Sequence, residues 1–132
     1  MTAAADLRAV AVAAGASVVA STAYYTALGR RLAQLHEAYA GDVRPPVWVL
    51  PVELGRSATV ATAVAVLARR TGTRGLPGAA RLAVGLWAAF PAVLLTGSVV
   101  HEKVPWQLAA IHSGDWLVKL LLVSTVVAGR RP

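Results

Sequence analysis

The sequence of residues 107–128 is QLAAIHSGDWLVKLLLVSTVVA, a long apolar run that contains His112, Asp115 and Lys119. An α-helix needs about 20 mostly apolar residues to cross a bilayer, and this run is long enough. A charged side chain at the centre of such a helix costs about 2.5–3.5 kcal/mol on insertion scales. The run therefore predicts a transmembrane helix whose charged side chains face other helices rather than lipid.

Three more apolar runs of similar length precede this one. Together the four runs predict an all-α fold, a transmembrane bundle of four helices that forms a single domain over residues 1–132. The predicted helices are Arg8–Leu28, Val47–Ala68, Leu82–Val100 and Gln107–Ala128.

The composition agrees with a membrane protein. Hydrophobic residues make up 57% of the 132 residues and charged residues only 14%, whereas ordinary soluble domains carry about 25% charged residues. Basic residues at the ends of apolar runs are typical of membrane proteins, so we expect no nucleic-acid partner despite the net charge of +7. The absence of cysteine excludes disulfides and thiolate chemistry. The paired basic residues between the runs are Arg30-Arg31, Arg69-Arg70 and Arg130-Arg131.

The connections between the runs carry their own signals. The first, Gly29–Pro46, contains leucine and aromatic residues that predict a short interfacial helix ending at Gly41. The second, Arg69–Arg81, is rich in glycine and proline and is predicted to be a break between helices. Within the third run, Pro91 predicts a kink near Trp87, because the carbonyl of that residue loses its hydrogen-bond donor.

The basic residues also predict the orientation of the chain. With both termini inside, seven basic residues near helix ends lie in the cytoplasm and four lie outside. Trp48 and Trp106 then lie at the outer interface, where aromatic residues are common. We therefore expect a multi-pass protein of the bacterial cytoplasmic (inner) membrane with cytoplasmic N and C termini. The seven are Arg8, Arg69, Arg70, Arg74, Arg81, Arg130 and Arg131, and the four are Arg30, Arg31, Arg44 and Lys103.

Two of the predicted helices carry mostly small residues at every fourth position. Small residues let helix backbones approach closely in lipid. Because four short helices enclose little volume, we expect these faces to support helix packing and self-association into a homo-oligomer within the lipid bilayer. The two stripes are Ala9, Ala13, Ser17, Ser21 and Tyr25 on the first helix, and Gly85, Ala89, Val93 and Gly97 on the third.

Five ionisable residues inside the predicted helices define a predicted polar intramembrane site. Glu53 and Arg56 are three residues apart on the second helix, and His112, Asp115 and Lys119 share one face of the fourth. The two carboxylates and two bases sum to zero charge. Since buried charges in a membrane pair with one another, we expect cross-helix pairs between Glu53 and Lys119 and between Arg56 and Asp115.

Three aromatic residues are predicted to complete this site. Tyr24 and Tyr25 lie near the outer end of the first helix, where their hydroxyl groups can reach the charged residues. Trp116 follows His112 by four residues and therefore lies on the same helix face.

The loop before the fourth helix contains His101, Glu102 and Lys103, with Trp106 at its end. Such a group could form a metal site or give protons access to the membrane interior. A single His–Glu pair supplies too few ligands for a metal ion, so a solvated loop is the favoured interpretation. We predict neither a metal nor a cofactor.

The last third of the chain resembles a known family in the segment His101-Glu102-Lys103-Val104-Pro105-Trp106 and the positions that follow it. Tyr24-Tyr25 is similar to a Trp-Tyr pair of that family, with tyrosine replacing the tryptophan, and Glu53–Ser57 is similar to an acidic–basic pair in one branch. The family is that of small bacterial four-helix membrane proteins known as domain of unknown function 1761. The resemblance spans nearly the whole chain and implies a four-helix membrane bundle, but no activity. The following positions that carry it are Leu108, Ile111, His112, Gly114, Trp116 and Leu117.

Three functions are compatible with these residues, and none identifies the ligand. The leading hypothesis is a small non-enzymatic protein that binds or transports protons or a small solute. The alternative is a membrane enzyme, an isomerase, cyclase or hydrolase of a lipid-like substrate, with Asp115 or Glu53 as base, His112 as acid, and Tyr25 or Trp116 packing the substrate. The third is an accessory subunit with a buried salt-bridge network. The cavity around His112 and Asp115 distinguishes them: its absence favours the third function, a sideways opening favours the enzyme, and an axial opening favours transport.

Overall fold

The computed structural model describes residues 3–39 and 46–130, which form helices joined by short turns. The described part of the chain contains no β-strand. Its elements are α1 (Ala3–Ala27), α2 (Gly29–Leu35), a 3-10 turn (Glu37–Tyr39), α3 (Val49–Arg70), α4 (Gly75–Ala89), α5 (Pro91–His101), α6 (Trp106–Ser124) and a π-helical turn (Thr125–Gly129).

Among the described residues, four helical segments are long and apolar enough to cross a membrane. This confirms the predicted number of membrane helices. Their bounds differ from the prediction by a few residues, except at the start of the third. The segments are Asp6–Ala27, Val49–Arg70, Gly75–His101 and Trp106–Gly129.

The third segment begins at Gly75 rather than at the predicted Leu82. The predicted break over Arg69–Arg81 is too long, because proline and glycine are tolerated in the first turn of a helix as well as in a break. Pro77 lies in the first turn of α4, where a backbone N–H has no helical partner and proline is tolerated. Gly75 has a positive φ of 71°, a backbone conformation that glycine adopts easily.

The predicted kink at Pro91 is confirmed as an interruption of the helix. The backbone leaves the helical conformation at Phe90, with φ −120° and ψ −77°, and α5 starts at Pro91. Proline is favoured at this first helical position because its missing N–H costs nothing there.

The first connection contains the predicted short helix. It corresponds to α2 and is followed by the 3-10 turn Glu37–Tyr39. The predicted end at Gly41 lies outside the described residues. The turn matters for the site because it brings Tyr39 next to His112, with 6.3 Å between the ring centroids.

Helix α6 lies at the centre of the bundle and packs against α1, α4, α5 and, less closely, α3. The buried contacts are made largely by alanine, which allows the backbones to approach closely. At one end of the bundle, Asp6 Oδ2 lies 3.0 Å from Arg69 Nη2 and joins α1 to α3. The alanines with no exposed surface are Ala13, Ala61, Ala68, Ala79, Ala83 and Ala128.

The two predicted stripes of small residues differ in their surroundings. On α1, Ala13 and Ser17 are fully buried inside the bundle, as expected for a packing face. On the third segment, Gly85 and Ala89 are exposed and Val93 is 60% exposed. A Cβ atom added at Gly85 would meet no atom within 4 Å. This second stripe therefore faces away from the rest of the chain.

Candidate functional site

Asp115 is the central residue of the polar site and is only 5% exposed. Its carboxylate accepts a short hydrogen bond of 2.6 Å from the Ser21 hydroxyl and a longer one of 3.4 Å from the Tyr25 hydroxyl. The Lys119 ammonium lies 3.7 Å from the same carboxylate, one helical turn further along α6. Helices α1 and α6 together therefore surround a buried carboxylate with hydrogen-bond donors and a cation.

The Tyr25 hydroxyl also contacts His112. Its oxygen lies 2.7 Å from His112 Nδ1, so Tyr25 links the imidazole on one side to the Asp115 carboxylate on the other. A tyrosine hydroxyl both donates and accepts hydrogen bonds, and either tautomer of the imidazole has a matching group. Residues His112, Tyr25 and Asp115 thus form a chain of groups that can exchange protons.

Lys119 lies against Trp116 as well as beside Asp115. The lysine is 7% exposed, and its Nζ is 4.9 Å from the centre of the Trp116 ring. A cation over an indole face is attracted by the negative face of the ring. This contact and the carboxylate compensate part of the cost of burying an ammonium group.

Two side chains fix α6 in the position that the site requires. The Tyr24 hydroxyl donates a 2.7 Å hydrogen bond to the Ile111 carbonyl, and Trp87 Nε1 donates a 2.9 Å hydrogen bond to the Ser113 carbonyl. Gly114 lies directly beneath the tyrosine, and a Cβ atom there would collide with the hydroxyl oxygen. Tyr24 therefore holds α1 against α6 and does not line the cavity described below.

The predicted cross-helix ion pairs are not found, and that prediction was wrong. Each carboxylate pairs with the base on its own helix. Asp115 pairs with Lys119, and Glu53 Oε1 lies 2.6 Å from Arg56 Nη1. Pairs three or four residues apart need no particular helix-to-helix distance, whereas here α3 packs mainly on α1 and a cavity separates its charged pair from Asp115.

A cavity of about 700 Å³ adjoins these residues and lies between α1, α3, α5 and α6. All five predicted ionisable residues line it, together with Tyr25 and Trp116, so the structure brings these predicted residues together. Glu53 and Arg56 lie at its more open side, with 34% and 58% of their side chains exposed. The polar lining consists of Ser21, Thr22, Tyr25, Thr26, Tyr39, Glu53, Arg56, Ser57, His112, Asp115 and Lys119.

Five polar residues of the lining are not among the predicted site residues: Ser21, Thr22, Thr26, Tyr39 and Ser57. Ser21 belongs to the predicted packing stripe of the first helix, and its position four residues before Tyr25 places both hydroxyls on one helix face. Ser57 is 3% exposed and follows Arg56 directly. Tyr39 comes from the connection after α1, where no sequence pattern predicts a contact with the site. Partial burial raises the pKa of Tyr39 above its ordinary value of 10.0.

Two further spaces meet the cavity at shared residues. An apolar groove of about 450 Å³ shares Leu95 and Trp116 with it. A depression of about 390 Å³ shares Leu95 and His112 and is lined on its other side by loop residues. Those loop residues and their neighbours are His36, Ser98, Glu102, Lys103, Val104 and Pro105.

The predicted outer-loop residues are exposed, in agreement with a solvated loop. His101, Glu102 and Trp106 are all exposed, and of these Glu102 lines the depression that reaches His112. Within residues 3–39 and 46–130, no group of three or more His, Cys, Asp or Glu side chains is arranged to hold a metal ion.

A known protein family matches nearly the whole chain. The family model described as "Protein of unknown function (DUF1761)" matches residues 8–128. The chain belongs to this family. No curated protein and no solved structure matches the chain. The matched range covers the four membrane segments except for Asp6, Leu7 and Gly129, and includes every residue that lines the polar cavity.

Membership of the family confirms the resemblance seen in the sequence and supplies no activity. The chemistry of the site therefore depends on its own groups. These are a buried carboxylate with a tyrosine–histidine chain leading from it, a second ion pair across the cavity, and space for a ligand between them.

Proposed function

We propose that this protein is a small non-enzymatic unit of the cytoplasmic membrane that binds protons or a small polar solute at Asp115 and transfers them across the bilayer. The observation that carries the proposal is that a buried carboxylate, with its tyrosine and histidine partners, borders an open cavity of about 700 Å³. In this proposal the N and C termini of the protein are cytoplasmic. The exposed stripe of small residues on the third segment supports a homo-oligomer in the lipid bilayer.

The cost of burying charges supports a functional site over an accessory subunit. Ionisable residues within membrane segments are expensive and commonly mark pathways for ions or substrates. In a subunit that used these charges only for helix pairing, we expect packed side chains around the charged groups and no cavity beside them. Here Glu53 and Arg56 instead lie across a cavity from Asp115 and Lys119.

The arrangement of groups supports protons as the simplest species transferred. The depression lined by Glu102 reaches His112, and the imidazole continues through the Tyr25 hydroxyl to Asp115. Histidine and carboxylate groups in sequence are typical of proton relays. Protons would reach the site from the end of the bundle that carries the loop after α5.

Substitution of Asp115 tests this proposal. In liposomes with an imposed pH gradient, we expect the wild-type protein to dissipate the gradient and Asp115→Asn to reduce the rate at least tenfold, because the amide has no titratable proton. Glu37→Gln is the matched control, since Glu37 is an exposed acid outside the cavity lining. An internal pH-sensitive dye measures the rate.

Two results would contradict the proposal. One is a wild-type protein that leaves the gradient intact both alone and in the presence of small polar solutes. The other is an Asp115→Asn variant that remains folded and is as active as the Glu37→Gln control.

A second candidate function is a membrane enzyme acting on a lipid-like substrate, and the apolar groove beside the cavity favours it. Asp115 rather than Glu53 is the base in this function, because Asp115 is joined through the Tyr25 hydroxyl to His112. His112 is the acid. Conversion of a membrane lipid that requires Asp115, in vesicles without proton flux, would select this function over transport.

A further inference from the structure

The apolar groove lies between α3 on one side and α4 and α5 on the other, with α6 as its floor. Its lining is almost entirely aliphatic or aromatic. Helices α3 and α5 both border it but have little contact with each other, so the groove is a lateral gap in the bundle. The lining residues are Val60, Ala63, Val64, Leu86, Phe90, Pro91, Leu94, Leu95, Trp116 and Leu120.

The groove lies within the membrane-spanning part of three segments, and several residues at its edge are exposed. Phe90 is 60% exposed and Leu94 is 70% exposed. In a bilayer, such a gap is open to hydrocarbon chains rather than to water. The interruption at Phe90 contributes to the gap, because α4 and α5 do not continue as one straight helix.

The groove and the polar cavity adjoin at two residues. Trp116 and Leu95 line both spaces, and the Lys119 ammonium lies against the Trp116 ring. A molecule that passes Trp116 would therefore have one end among hydroxyl and charged groups and the other among aliphatic side chains. This is the pattern of polarity along an amphiphile.

The charges of the cavity restrict the head group. Glu53, Arg56, Asp115 and Lys119 sum to zero, and each acid already has a base beside it. A head group with a net charge would introduce an uncompensated charge into the membrane interior, which is costly. A head group without net charge that offers hydroxyl donors and acceptors has no such cost.

We propose that the polar cavity and the apolar groove together bind a single-chain amphiphile whose head group carries no net charge. The head group lies in the cavity at Asp115 and Lys119, and the chain passes Trp116 into the groove between α3 and α5. The proposal rests on the proposed function in that the Asp115 site is taken as a binding site, and it names the class of ligand for that site.

A photoactivatable monoacylglycerol, with a diazirine on its acyl chain, tests this proposal in phosphatidylcholine vesicles that contain the full-length protein. We expect saturable crosslinks to residues 60–64 of α3, to Phe90 and to residues 91–95 of α5, located by mass spectrometry of peptides. Excess unlabelled monoacylglycerol should abolish these crosslinks. Equal amounts of a fatty acid anion or an alkylammonium of the same chain length should reduce them less than twofold.

A pair of neighbouring substitutions supplies the matched control. Ala63→Phe fills the groove and should reduce crosslinking at least fivefold. Thr62→Phe places the same side chain at an adjacent exposed position that does not line the groove, and should leave crosslinking unchanged. The competition experiment uses only the wild-type chain, so it decides the proposal even if Ala63→Phe fails to fold.

The proposal is overturned by labelling that does not saturate, that is spread evenly over the lipid-facing helices, or that the charged competitors abolish equally well. Proton flux measured in the same vesicles separates this failure from failure of the proposed transport function. Saturable crosslinks without Asp115-dependent flux retain the amphiphile site and reject proton transport. Asp115-dependent flux without saturable crosslinks retains proton transport and rejects the amphiphile site.

Discussion

The hydroxyl of Tyr25 lies between the imidazole of His112, at 2.7 Å, and the carboxylate of Asp115, at 3.4 Å. The second distance is long for a hydrogen bond between oxygen atoms. The Ser21 hydroxyl occupies the other carboxylate oxygen at 2.6 Å. Asp115 is thus held closely by Ser21 and only loosely by Tyr25.

We expect Tyr25→Phe to slow proton flux through the site about tenfold or more, because His112 and Asp115 lose the hydroxyl that connects them. The imposed-gradient liposome assay with an internal pH-sensitive dye measures this rate. Tyr24→Phe is the matched control. It removes a hydrogen bond to the Ile111 carbonyl worth about 1 kcal/mol and leaves the chain from His112 to Asp115 intact. Equal rates for the two variants would show that Tyr25 is not part of the path.

At the scale of the helices, the contact between α1 and α6 depends on a glycine at position 114. Gly114 lies under the Tyr24 hydroxyl, which donates to the Ile111 carbonyl. The close approach brings Ser21 and Tyr25, which lie three residues before and one residue after Tyr24 on α1, within reach of Asp115, the residue after Gly114. The helix contact and the polar site are therefore built from neighbouring residues of the same two helices.

Gly114→Ala is expected to destabilise the protein by about 1–3 kcal/mol, the usual cost of overpacking a well-packed contact. The matched control is Gly15→Ala, since a Cβ atom added at Gly15 on α1 meets no atom within 4 Å. That variant should be as stable as the wild type or slightly more stable, because alanine has a higher helix propensity than glycine. Thermal unfolding in detergent micelles measures both. Equal losses would show that Gly114 is not a contact position.

The helices were largely predictable from sequence, whereas their pairing was not. Apolar runs and the proline at position 91 are local signals, and they predicted four membrane segments and the break in the third. The five ionisable residues were recognisable because charges are rare in membrane helices. Their partners depend on which helices touch. Helix α3 packs mainly on α1, and the cavity separates its two charged residues from Asp115. For this reason Glu53 and Arg56 pair with each other.

At the scale of the whole molecule, the charged residues separate into two groups. Asp115, Lys119, Glu53 and Arg56 form two neutral pairs around the cavity. The net charge of +7 therefore comes from the remaining charged residues, most of which lie near the ends of the membrane segments. Positive charge near helix ends is retained on the cytoplasmic side of bacterial membranes. The excess thus predicts the orientation of the bundle in the membrane.

The absence of cysteine from the chain makes this orientation directly testable. We expect a membrane-impermeant maleimide added to intact cells to label His101→Cys, in the loop after α5. Thr71→Cys, in the turn between α3 and α4, should be labelled only after the membrane is permeabilised, because the neighbouring Arg69, Arg70 and Arg74 predict that this end lies in the cytoplasm. The wild-type protein provides the unlabelled background. The opposite pattern would place the termini outside, and protons arriving through the depression near Glu102 would then come from the cytoplasm.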